Sequence, residues 1–224
     1  MNMKYFSKDF IQFLKELREN NNKEWFDKNR SRYEQEVKLP FEKFIGDLIL
    51  AIQAFDPVIQ INPKKAIFRI NRDIRFSNDK TPYKVHRSAV LARESRKEEY
   101  PAYYLRIDPD TLFIGGGVFN LSKDSLYKVR EEIMYNEKAF NALIEDKDFK
   151  RNFGEIKGEK NKILKPPFKE VADESPILYH KQFYYMQQFD NQKVLSEDLI
   201  EFIAEKYRSA VGVNKFLQLP LEEA

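Results

Sequence analysis

The chain has no cysteine, only seven glycines in 224 residues, two histidines and one tryptophan. Without cysteine there is no disulfide framework, no thiolate metal site and no cysteine nucleophile, and nothing requires an oxidising compartment. His86 and His180 lie far apart and lack metal-ligand spacing, so no metal is assigned. No segment approaches the ~18 consecutive apolar residues of a membrane span, and MNMKYFSKDF lacks a signal peptide's apolar run. The expectation is a soluble, cytoplasmic protein with no membrane contact. Neither G-x-G-x-x-G nor Gly-Lys-Ser/Thr occurs, which removes the dinucleotide fingerprint and the P-loop. No cofactor and no catalytic residue is named by any motif.

Positive charge, by contrast, is present in one place. Asn62 to Arg87, NPKKAIFRINRDIRFSNDKTPYKVHR, holds eight Lys or Arg against two carboxylates, a formal +6. The whole chain carries only +3, so everything outside the stretch sums to −3. The charge is concentrated, and concentration of one sign points to an anionic ligand. Aromatics are plentiful, with 19 Phe and 12 Tyr, enough for a large core in a single domain spanning residues 1–224.

Periodicity places the elements. Ser7 is a candidate cap for a helix burying Phe10, Phe13, Leu14 and Leu17, which Asn20 to Asn22 end. A second helix is expected from Lys23 to about Val37. Pro40 opens a third with the stripe Phe41, Phe44, Ile45, Leu48, Ile49 and Ile52. After Pro63 the period becomes two: Ala66, Phe68, Ile70, Ile74 and Phe76 share one parity, and Arg69, Asn71, Asp73 and Arg75 the other, predicting a half-buried strand. Arg72 interrupts the apolar side, as a bulge would. A strand is expected over Lys84 to Ala92, then a hairpin of Tyr100 to Ile107 and Thr111 to Ile114, with Gly115 to Gly117 as tight hairpin-to-loop packing. Ser122 caps a helix through Ile133, another covers Glu137 to Asp146, and Phe149 to Lys169 reads as irregular. Ser175-Pro176 starts a short helix through His180 to Phe183, and Ser196 caps the last long one. Helices at both ends around strands make the fold class α+β: N-terminal helices packed on a central antiparallel-rich sheet, with further helices in the C-terminal half.

The run from Phe68 to Ser77 with Asp79-Lys80-Thr81-Pro82-Tyr83-Lys84 resembles the signature of the family called domain of unknown function 2461. Asn21 to Phe26 with Arg30 and Tyr33, Tyr103-Tyr104 through Gly115 to Gly117, and Leu164-Lys165-Pro166 followed by Lys181-Gln182-Phe183 are similar to its other motifs. After Lys165-Pro166 this chain departs from the expected Pro-Lys-Gly type of run, having Pro167-Phe168-Lys169 and no glycine. The family has no established activity, so the resemblance implies a fold and a set of positions without supplying a function.

The candidate ligand-binding residues are Arg69, Arg72, Asp73, Arg75, Lys80, Tyr83 and Lys84, with Arg30 and His86 outlying. Alternate strand residues lie roughly 6.6 Å apart, so Arg69 and Arg75 can flank an anion while Asp73 orients a guanidinium. The leading expectation is a site for a phosphate- or carboxylate-bearing small molecule. The alternatives are a nucleic acid, stacked on the interleaved aromatics, and an acidic protein partner. A solvated strand face with weak Arg–Asp pairs is the bland reading.

Overall fold

The computed structural model describes residues 3–222. Contacts divide the chain into two compact units. Among the described residues, unit 1 comprises 3–96, 104–114 and 188–204, and unit 2 comprises 97–103, 115–187 and 205–222. One antiparallel sheet of order β1-β2-β3-β4 is formed by Arg87–Leu91, Ala102–Ile107, Thr111–Val118 and Phe183–Asp190. Among the described residues no helix is long and apolar enough to cross a membrane.

Unit 1 starts with α1 (Lys8–Glu19), whose Phe10, Phe13, Leu14 and Leu17 are fully buried, as the spacing predicts. Ser7 sits at its N-cap, yet its hydroxyl donates to Glu36 at 2.8 Å and caps nothing. Asn22 does cap α2 (Lys23–Lys28), accepting from the Trp25 N–H. The expected second helix breaks at Asn29. From there α3 (Arg30–Arg32), a π-helical stretch (Tyr33–Lys38) and α4 (Leu39–Gln53) follow without interruption. Pro40 offers no N–H to an α-helical ladder, and the wider turn before it absorbs that gap: the Leu39 N–H reaches the Glu34 carbonyl, five residues back. All six residues of the α4 stripe are buried. They join Phe6, whose ring lies 4.4 Å from Phe10 and 5.1 Å from Phe44. Both α4 and α5 (Pro63–Ala66) contact β1.

Residues 66–76 do not form the predicted strand. Pro63 starts α5 instead, and beyond it the chain is an irregular arm held by isolated antiparallel bridges, Ile67 to Ala89 and Asn71 to Tyr83. The burial alternation survives in part, since Arg69, Asn71, Asp73 and Arg75 are all exposed while Ala66 and Ile70 are buried. It fails at the tip, where Phe76 is 95% exposed. An arm paired along one edge only over these residues has nothing to bury its far end against.

The β2–β3 hairpin matches expectation. Asp108 accepts from the Asp110 and Thr111 N–H groups at 3.1 and 2.7 Å and closes the turn. Gly115, Gly116 and Gly117 are not a loop, however; they lie inside β3. A Cβ on Gly116 would sit 2.5 Å from the Tyr185 hydroxyl and 2.6 Å from the Ala102 carbonyl, so only glycine lets the neighbouring chain approach.

In unit 2, Ser122 caps α6 (Lys123–Tyr135) by accepting from the Ser125 N–H, and α7 (Glu137–Ile144) follows. Asp146 then caps α8 (Lys147–Phe153), in a stretch the sequence reads as irregular from Phe149. Tyr185 is the centre of this core, with Phe153 at 4.5 Å and Phe149 at 5.4 Å. The short α9 (Phe168–Val171) precedes a 3-10 turn (Pro176–Tyr179) that ends before His180. Phe183 therefore opens β4 and does not close a helix. Towards the end of the chain come α10 (Leu199–Ser209), α11 (Val211–Gln218) and a 3-10 turn (Leu219–Leu221).

Candidate functional site

The arm carries the basic stretch and is fixed to unit 1 by two devices. The Asn21 side-chain amide donates to the Tyr83 carbonyl at 2.9 Å and accepts from the Tyr83 N–H at 3.0 Å, so it acts as a strand partner for that residue. The Tyr83 ring stacks on Phe26 with centroids 4.1 Å apart and planes 16° from parallel. Tyr83 is thereby buried between two clefts and lines both.

The first cleft, of about 570 Å³, includes Arg18, Arg72, Asp73, Asp79, Lys84 and His86. Arg72, whose direction the sequence leaves open, turns toward the loop after the arm. Its guanidinium donates to the Asp79 carboxylate, to Thr81 Oγ1 at 2.5 Å and to Ser77 Oγ at 3.4 Å. That pairing holds the Asp79 carboxyl down to about 2. Arg72 thus organises its own loop, and most of its donors are already used. Burial first, then Arg106 and Lys84, push the His86 imidazole down to about 4, so it is neutral near pH 7.

The second cleft, of about 380 Å³, is lined by Arg30, Lys38, Lys64, Arg69 and Arg87 against the carboxylates Glu34 and Glu42. Lys38 pairs with Glu34 at 3.0 Å, and Arg30 pairs with Asp27 at 2.6 Å. Lys64 and Arg69 have no ion-pair partner among the described residues. Arg87, the first residue of β1, is only 3% exposed, and neither its Nε nor its Nη1 has a hydrogen-bond partner. The Phe41 ring, 5.3 Å from its Cζ, and the charge of Glu42 are what it has instead. A buried guanidinium with two idle donors is costly, since each unmet donor keeps its desolvation penalty. Nearby, burial and the charges of Arg87, Arg69, Arg96 and Arg72 depress the Lys84 ammonium below the ordinary lysine range.

The candidate residues consequently divide. Arg72, Asp73, Tyr83, Lys84 and His86 line the first cleft, and Arg30, Arg69 and Tyr83 the second. Arg75 and Lys80 line neither. Arg75 is spent on Asp73, donating through Nε and Nη2 at 2.9 and 2.7 Å, and the Lys80 ammonium donates to the Ile74 carbonyl at 2.9 Å. Asn21, Lys38, Lys64 and Arg87 are the residues that sequence reasoning did not select. Lys64 and Arg87 belong to the basic stretch, so composition contained them, but only the fold separates them from their neighbours. Among the described residues no group of His, Cys, Asp and Glu is placed to hold a metal.

Residues 9–216 match the family described as "Conserved hypothetical protein (DUF2461)". No curated protein matches the chain.

Proposed function

The chain belongs to the DUF2461 family of conserved hypothetical proteins, and we propose that it binds a phosphate- or carboxylate-bearing small molecule in the cleft of Arg30, Lys64, Arg69 and Arg87. The observation that carries this reading is the Arg87 guanidinium, buried with Nε and Nη1 unpaired. An anion oxygen meets both needs at once: it accepts from the idle donors and offsets the net positive lining. Five cations face two carboxylates in this cleft, whereas three face two in its neighbour, where Arg72 is tied to Asp79. The anion therefore belongs in the former. Under this reading the protein works in the cytoplasm on small metabolites, with no catalytic group assigned.

Thermal melts against inorganic phosphate, nucleotides and phosphorylated or carboxylated metabolites test the proposal. A ligand at 100 times its Kd adds about 2.7 kcal/mol, which for a domain of this size raises Tm by roughly 5–10 °C. Arg69→Ala, a change at an exposed residue, is expected to abolish most of the shift while leaving the unliganded Tm unchanged. Arg87→Met removes the buried charge for an apolar chain of similar length, so it should keep or raise the unliganded Tm and lose the ligand shift. No shift with any anion in the wild-type protein refutes the reading.

A further inference from the structure

Unit 2 has a larger cleft of its own, about 910 Å³, between the start of α6 and the residues Lys165, Pro166, Lys181 and Gln182. These last four come from sequence motifs that the anion cleft does not use. The floor holds a second unsatisfied guanidinium. Arg130, on α6, is 7% exposed, and its Nη2 donates to the His180 carbonyl at 2.9 Å while its Nε has no partner. One hydrogen bond fixes the head of the side chain, and the remaining buried donor is idle, as at Arg87.

The walls differ from those of the first site. Phe119 and Ile163 line the cleft while 58% and 81% exposed, and Tyr127 packs edge-on against Phe168 with centroids 5.1 Å apart. Phe168 also faces the Arg130 guanidinium, 5.9 Å from Cζ to centroid. Large apolar side chains left open together in one concavity mark a surface that something covers. The charge there is again positive: Lys123, Arg130, Lys165 and Lys181 against Glu99. Glu99 is occupied, accepting from the Ser122 N–H at 3.0 Å. Lys123 and Lys165 have no ion-pair partner among the described residues.

We propose that this cleft is a second ligand site that takes an organic carboxylate with a flat apolar body, the carboxylate on Arg130 and the body on Phe119, Tyr127, Ile163 and Phe168. A volume of this order lies within the range of small-molecule sites, where a few polar anchors set the ligand's orientation. The site stands independently of the anion cleft, because all its residues belong to unit 2 and those of the anion cleft to unit 1.

The test is isothermal titration of the full chain with 2-naphthoate, and with the neutral 2-naphthamide as its uncharged counterpart. Saturable binding of naphthoate is expected, weakened by about tenfold or more in the amide and in Arg130→Met, the scale of losing a charge-assisted hydrogen bond. Ile163→Glu places a carboxylate on an exposed wall residue and should weaken binding similarly, so it decides the matter if Arg130→Met does not fold. Arg69→Ala removes whatever naphthoate the anion cleft takes up, and the binding that Ile163→Glu weakens should persist in it. The proposal is overturned if naphthoate does not saturate, if amide and acid bind alike, or if Arg69→Ala abolishes binding that Ile163→Glu retains. The last result assigns the probe to the anion cleft and leaves that reading intact.

Discussion

At the scale of single residues, surroundings and not identity separate the cations of this protein. Arg72 and Arg75 are three positions apart on one arm, and each has found a carboxylate: Asp79 for the former, Asp73 for the latter. Arg69 has none, and Arg87 is inside with idle donors. His86 shows the same logic with a measurable consequence. Its pKa falls from 6.5 to about 4 because burial and the cations Arg106, Lys84 and Arg87 disfavour the imidazolium, against Asp108 alone. The unfolded chain therefore binds more protons than the folded one between those values, and stability is lost as pH drops from about 6.5 toward 4. The loss is on the order of 2–3 kcal/mol. His180, also depressed by burial, acts in the same direction. His86→Asn should flatten this part of the pH profile of the urea midpoint without affecting the decline below pH 4, where Asp73 and Asp79, held at about 2, begin to take up protons in the unfolded chain. Parallel profiles for the two proteins would show that His86 is not held neutral.

At the scale of elements, the glycines of β3 and the glycine of α4 make opposite demands. Gly116 has the Tyr185 hydroxyl and the Ala102 carbonyl where a Cβ would go, so Gly116→Ala must displace backbone and should cost about 1–3 kcal/mol. Gly46, inside α4, has only Pro63 Cγ at 3.7 Å from such a Cβ. Ala there fits and restricts the unfolded chain, so Gly46→Ala should stabilise by about 0.5–1 kcal/mol. Chemical denaturation of the two variants checks both signs. The elements legible in the sequence were those whose signal is local. The stripe of α4, the Ser122 cap and the Asp108 turn each specify geometry within a few residues. The pattern at 66–76 predicts a strand that is not there because alternation is shared by a true strand and by any extended segment with one side against a core. Its two isolated bridges are a property of its partners, Ala89 and Tyr83, and not of its own residues. β4 carries no such signal: YYMQQF has an intermediate-to-exposed second half and no clean period.

At the scale of the whole molecule, each unit is assembled from three separate chain segments, so neither is a continuous piece that could be cut out. We propose that the chain unfolds as one cooperative domain. Trp25 is the single tryptophan and lies in unit 1, whereas far-UV circular dichroism reports helices of both. The two signals should give coincident urea midpoints, and separated midpoints would establish independent folding. The uneven charge, +6 over Asn62 to Arg87 in a chain of +3, belongs to this scale as well. A nucleic-acid ligand would lose affinity steeply between 50 and 200 mM salt, in proportion to the phosphates contacted, while a small anion in a partly closed cleft should depend mainly on its identity.

The sequence by itself determined the α+β class, the aromatic core, the α4 stripe, the Ser122 cap and the place where positive charge gathers, because composition and short-range periodicity act within a turn or two of chain. Only the tertiary structure decided which cations are free. It tied Arg72, Arg75 and Lys80 into the arm and the loop that follows it, and it set Arg87, with Nε and Nη1 unpaired, in one cleft with Arg69 and Lys64. It also gathered Arg130, Phe119 and Ile163, distant in sequence, around one cleft. Arg72, Arg75 and Lys80 find their partners within seven residues, but whether those partners come within a few ångströms depends on how the arm is held against the rest of unit 1, and periodicity does not encode that.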